Sequence, residues 1–91
     1  MNTLASILDK IFSDPMLKSY YVEAKVLTIY PEAVGERIAS ISKAVSFQNG
    51  ILVVRVTSAA WRNELNLMTL QIKDILNKDL DENLINKIIF R

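Results

Sequence analysis

Apolar positions recur along this chain with two distinct periods, and the changeovers mark its elements. Leu4, Ile7, Leu8, Ile11 and Phe12 fall at three- and four-residue spacing, the pattern of a short amphipathic helix. Ser13-Asp14-Pro15 stops it and starts another. Asp14 suits an N-cap, and Pro15 suits the first helical position, where no amide donor is needed. The second helix carries Leu17, Tyr20, Tyr21, Ala24 and Leu27 on one stripe. It is expected to end or kink at Tyr30, because proline disfavours helical geometry in the residue before it. Pro31 would open a third helix, with Glu32 in its first turn and Val34, Ile38 and Ile41 on its buried side. Gly35 inside a helix costs about 1 kcal/mol against alanine, and close packing is the expected compensation.

Period two then takes over. Residues 44–48 read as a short strand, followed by Asn49-Gly50, a strong hairpin signal because both residues tolerate positive φ. Residues 51–57 form the return strand. Ser58 can cap the next helix, whose apolar positions Trp61, Leu65, Met68, Ile72 and Ile75 step four, three, four, three. One long helix to about Leu80 is expected. Asp79, Asp81 and Glu82 oppose its dipole at the C-terminal end and favour fraying. Residues 84–90 form a final strand.

This order predicts an α+β domain: a three-stranded mixed β-sheet with a long helix packed on one face, preceded by N-terminal helices. Leu52, Val54, Val56, Leu84, Ile88 and Phe90 would face the helices. The opposite face would present Ile51, Val53, Arg55, Ile85, Lys87, Ile89 and Arg91. A face that mixes branched apolar residues with cations marks a partner site when left open to water.

Length and composition narrow the possibilities. The 91 residues suit one domain, spanning 1–91, and 51% apolar content is enough for a core. Cysteine and histidine are both absent. That excludes disulfides, structural zinc, and Ser-His or Cys-His nucleophile pairs. The only glycines are Gly35 and Gly50, too few for a phosphate-binding loop. Glu32 and Glu36 at helical spacing read as a solvated face, and Asp79, Asp81 and Glu82 lack the spacing of a calcium loop. No enzyme activity, metal or cofactor is expected. No signal peptide or membrane span is expected either, and a cytoplasmic location fits.

Charge adds the most. Residues 37–63 contain no acid and four cations, Arg37, Lys43, Arg55 and Arg62. The rest of the chain carries seven basic and ten acidic residues. A nearly neutral chain, +1 overall, has therefore gathered positive charge around its strand-to-helix joint. Cations without local acids suit a phosphate backbone, and the same residues would also serve as ordinary solubilising charges. Trp61 sits on an apolar stripe and reads as core rather than as a base-stacking platform. Tyr20, Tyr21 and Tyr30 read as packing residues with wet hydroxyls. The facing of Phe47 is left open by the hairpin.

Some of these residues form a recognisable set. Tyr30-Pro31-Glu32, Val34-Gly35 and Ile38-Ala39 resemble the opening block of DciA-like proteins. Asn49-Gly50, Leu52, Val54, Val56, Ser58, Trp61, Glu64 and Leu65 resemble that family's second block, and residues 88–91 its closing strand. The resemblance divides the chain into N-terminal helices, 1–29, and a family core, 30–91. It implies a KH-like fold and a loader or regulator of the bacterial replicative helicase, with affinity for single-stranded or tailed DNA. RNA binding is the alternative that a KH-like shape suggests. A protein-interaction module, binding the helicase or a second copy without nucleic acid, is a further one. Tyr30 stands where the family has tryptophan. The G-x-x-G clamp of KH domains is absent, so KH-type gripping of a phosphate is not carried over.

Overall fold

The computed structural model describes residues 3–91. Helices α1 (Thr3–Ser13), α2 (Pro15–Val34) and α3 (Glu36–Ala39) lead into a hairpin of β1 (Ser42–Gln48) and β2 (Ile51–Val56). Helices α4 (Ala59–Leu67) and α5 (Thr69–Leu80) then cross over to β3 (Lys87–Phe90). The sheet order is β1-β2-β3, with β1 antiparallel and β3 parallel to β2. This is the expected α+β architecture with a mixed three-stranded sheet, and it is consistent with a KH-like arrangement. A parallel neighbour needs a crossover rather than a tight turn, and α4 and α5 supply it.

Local signals account for the joints. Asp14 accepts hydrogen bonds from the Met16 and Leu17 amides at 2.9 and 3.4 Å and so caps α2, with Pro15 behind it. Ser58 Oγ accepts from the Trp61 amide at 3.2 Å and caps α4. Asn49 and Gly50 both take positive φ, 54° and 79°, as a primed hairpin turn demands. A Cβ on Gly50 would also run into the Asn86 side-chain amide. The Gly50 carbonyl accepts from the Asn86 and Lys87 amides at 2.8 and 3.1 Å, so this one turn fixes where β3 begins.

The core lies between the sheet and α2, α4 and α5. Leu52 and Val54 of β2, Leu65 of α4, Leu76 of α5 and Val26 of α2 are fully enclosed. Each such side chain contributes about 1.5–3 kcal/mol relative to leaving it in water. On α2 the side facing the core is Val22, Val26, Ile29 and Tyr30. Of the stripe read from the sequence, Leu17, Tyr20, Tyr21 and Ala24 are exposed, and Leu27 alone packs against the core.

Several expectations are corrected here. α2 does not stop at Tyr30 but continues through Pro31 to Val34. Proline forfeits one bond near the end of the helix, and Tyr30 anchors that turn. Its phenol lies 2.8 Å from Ser42 Oγ, which donates in turn to the Ile38 carbonyl at 2.7 Å. The Ser42 proton is thereby spent, so Tyr30 donates. Its hydroxyl is buried rather than wet, and burial holds the phenol above its ordinary pKa of 10.0 despite the hydrogen bond to Ser42. Gly35 is not a packing glycine, since nothing lies within 4 Å of a Cβ placed there. It ends α2 with φ 90°, a conformation costly for any other residue.

The single long helix is two helices, broken at Met68. The Thr69 hydroxyl donates to the Asn66 carbonyl at 2.8 Å, competing with the helical ladder. The break resets the rhythm: Ile72, Leu76 and Leu80 are buried, whereas Ile75 is exposed. α5 ends at Leu80, where Asp81 adopts a left-handed cap with φ 57°.

Ile85 was expected on the open sheet face, but it is 1% exposed and belongs to the core. β3 starts only at Lys87, so the strand alternation does not reach back to it. Asn77 holds it there. This buried amide donates to the Ile85 carbonyl at 3.0 Å and accepts from its N–H at 2.9 Å.

Candidate nucleic-acid interface

The sheet covers one face and leaves the other open, and the register decides which side chains share the open one. Leu52, Val54 and Val56 point into the core, so Ile51, Val53 and Arg55 point away. On β3, Ile88 and Phe90 are buried, so Lys87 and Ile89 point away. On β1 a bulge intervenes between Ala44 and Ser46. Before it Lys43 faces outward, and after it Ser46 and Gln48 do. A bulge adds one residue to one strand and shifts the alternation. Ala44 and Phe47, of opposite parity, therefore both reach the core. The Phe47 amide, facing away from β2, donates to Glu23 Oε2 of α2 at 3.0 Å.

Three rows result. Ser46, Val53 and Ile89 are in register across the middle. Gln48, Ile51 and Lys87 are in register at the turn end. At the other end Lys43 stands opposite Arg55. Arg91 continues β3 beside Arg55, donating its amide to the Val54 carbonyl at 2.8 Å and accepting from the Val56 amide at 2.7 Å. Lys43, Arg55 and Arg91 thus form a cationic row across all three strands, each exposed. Neighbouring strands lie roughly 4.8 Å apart. None of the three is ion-paired among the described residues. Like charges directly opposite one another are destabilising, and an anion laid across them relieves that.

The four cations singled out from the sequence divide. Lys43 and Arg55 meet in this row and also line a shallow groove of about 440 Å³ with Ser40 and Thr57. Arg37 on α3 does not join them. Its guanidinium lies over the Trp61 ring, 5.5 Å from the centroid, and so covers a half-buried core residue. Arg62 on α4 is half-buried, and its Nε is enclosed without an acceptor. Arg91 is the cation that charge clustering missed, since it lies 28 residues beyond the acid-free run in a terminal strand. Alternation along residues 51–55 and 87–91 predicts it on the open face with Arg55, and parallel pairing sets the two side by side.

Other expected chemistry takes the following places. Glu32 lies on α2 and Glu36 on α3, on either side of the Gly35 turn. No group of three His, Cys, Asp or Glu residues suited to a metal occurs among the described residues. The junction of α4 and α5 reads Asn66-Leu67-Met68-Thr69 and holds Leu67 and Leu70 out in solvent rather than any glycine. No helix among the described residues is long and apolar enough to cross a membrane.

This combination of fold and sequence defines a small α+β module of the KH-like class. The chain belongs to the DciA family: the family model described as "Dna[CI] antecedent, DciA" matches residues 3–90. It is similar to a UPF0232 protein of Bifidobacterium longum, with 26% identity over 77 residues, or 85% of this chain. The aligned part is 49% of that protein, so the chain spans about half the length of the curated relative it matches. The family model covers α1 and α2 as well as the sheet.

Proposed function

We propose that this chain is a non-enzymatic adaptor in bacterial replicative-helicase loading, acting in the cytoplasm. In this reading it grips single-stranded or tailed DNA through its open sheet face. The observation that carries the proposal is the row Lys43–Arg55–Arg91, three cations in register with no acid to neutralise them. A strand laid across the sheet would set phosphates against that row, and Lys87 would guide it at the far end. The apolar Val53 and Ile89 between them would meet sugars and base faces. Membership of the DciA family supports the helicase context. Arg37 and Arg62 take a lesser part, because one is engaged by Trp61 and the other is half-enclosed.

The test is a titration with single-stranded and tailed DNA at two salt concentrations, with and without the helicase. Each lost phosphate contact on a single strand lowers the salt slope by about 0.7. Replacing Lys43, Arg55 and Arg91 by alanine should therefore lower it by about 2. Lys10→Ala, on α1, which among the described residues touches no strand, should leave it unchanged. An unaltered affinity in the triple variant would rule the reading out.

A second reading has one observation behind it. The middle row, Val53 and Ile89 with Ile51 beside them, is apolar and suits a protein surface. Helicase capture lost in Val53→Glu with Ile89→Glu, with no DNA binding by the parent chain, would favour that interaction module. Tighter binding to RNA than to DNA of the same sequence would favour the RNA alternative.

A further inference from the structure

The N-terminal helices form a surface of a different kind. None of the 11 residues of α1 is buried. Among the described residues α1 packs on α2 and on no other element, so it never reaches the sheet. The two helices are clasped by Phe12 against Tyr21, edge to face with centroids 5.6 Å apart. Even so, Ile7, Leu8 and Phe12 of α1, and Met16, Leu17 and Tyr20 of α2, are 39–66% exposed. Monomeric proteins seldom leave so much contiguous apolar surface open, and a helix of this length is marginal without a covered face.

We propose that a second copy of this chain covers that surface, pairing two α1–α2 hairpins into an antiparallel four-helix bundle. Area and charge both point to a second copy. The six side chains expose roughly 700 Å² per chain, so two copies would bury about 1,400 Å² in total, within the range of stable interfaces. Residues 3–25 carry three acids, Asp9, Asp14 and Glu23, and three bases, Lys10, Lys18 and Lys25. A two-fold interface sets the same patch against itself, so it needs a surface of no net sign. A hairpin built for a strongly charged partner would lean one way. Paired hairpins are also a stable packing for short amphipathic helices. The contact would leave the cationic rows free, one on each copy, because α1 touches no strand and the start of α2 lies beside Gln48 and Asn49, at the opposite end of β1 from Lys43. The inference therefore stands apart from the DNA-binding reading.

Sedimentation of the full chain over rising concentration tests it, beside Phe12→Glu and Met16→Glu. Both positions are exposed, so the core should stay folded, and a thermal melt at low concentration checks this. The wild-type chain should reach twice the monomer mass, and either substitution should weaken association by at least about tenfold. A wild-type chain that stays monomeric overturns the proposal. So does a dimer indifferent to both substitutions. A dimer lost only in Ile51→Glu with Ile89→Glu would move the contact to the sheet and overturn it as well. A monomer that captures the helicase through Phe12 and Met16 would overturn it in favour of a heterologous partner.

Discussion

The α1–α2 hairpin and the β2–α4–β3 unit start from equally clear apolar patterns and meet opposite fates. Leu4, Ile7, Leu8 and Phe12 keep helical spacing as faithfully as Leu52, Val54 and Val56 keep strand spacing. The β2 residues are buried, while those of α1 are 39–65% exposed. Periodicity reports which side of an element is apolar. It does not report what lies against that side. In β2 the sheet's own helices fill the space, and in the hairpin a single neighbouring helix covers only part of the stripe. The elongated shape, 53 × 23 × 20 Å, reflects the same difference.

Six substitutions break or sharpen that comparison. The largest effect should come from truncating the core. Leu65→Ala should cost about 2–5 kcal/mol in urea unfolding. Ile7→Ala, measured at low protein concentration, should cost less than about 1 kcal/mol. Equal losses would erase the contrast. Asn77→Ala comes next, at about 2–3 kcal/mol, because it strands both the N–H and the carbonyl of Ile85. Faster amide exchange at Ile85 should accompany the loss, and an unprotected Ile85 in the parent chain would refute the account.

Gly50→Ala should cost about 1–2 kcal/mol, since it combines a positive φ with a collision at Asn86. Gly35→Ala meets no neighbour, but φ 90° with ψ 165° is a region essentially confined to glycine, so it should cost a comparable ~1–3 kcal/mol. A neutral Gly50→Ala would show that the turn tolerates a side chain. Tyr30→Phe should have a small effect, about 1 kcal/mol near neutral pH. It also carries a pH signature. Burial raises the folded phenol above its unfolded value of 10.0, so the unfolded chain loses its proton first. The stability due to Tyr30 is complete below that pH and falls as pH rises through the folded pKa. The gap between parent and variant should narrow there, and a gap that widened would contradict the assignment.

Much of the architecture was legible beforehand because its signals are local. The Asn49-Gly50 turn, the caps at Asp14 and Ser58, and the alternation of β2 each act within a few residues. Expectations failed where a hydrogen bond that the apolar pattern does not report overrode it. Pro31 stays helical because Tyr30 is locked to Ser42. The long helix breaks because the Thr69 hydroxyl bonds the preceding turn. Ile85 turns inward because Asn77, eight residues earlier, holds its backbone. The candidate site was half legible. Lys43 and Arg55 were visible from the absence of acids and Arg91 from strand alternation, whereas their alignment in one row came only from the pairing of β1, β2 and β3.

Taken alone, the sequence determined the hairpin turn and the strands that flank it, the starts of α2 and α4, and the concentration of positive charge near one joint. These follow from backbone propensity and side-chain chemistry within a few residues of each position. The tertiary structure decided which cations become neighbours, which face Phe47 and Ile85 take, and which apolar stripe is left uncovered. Register, a bulge and the crossover of α4 and α5 join residues far apart in the chain. One residue of slippage in any of them sends alternate side chains to the other face.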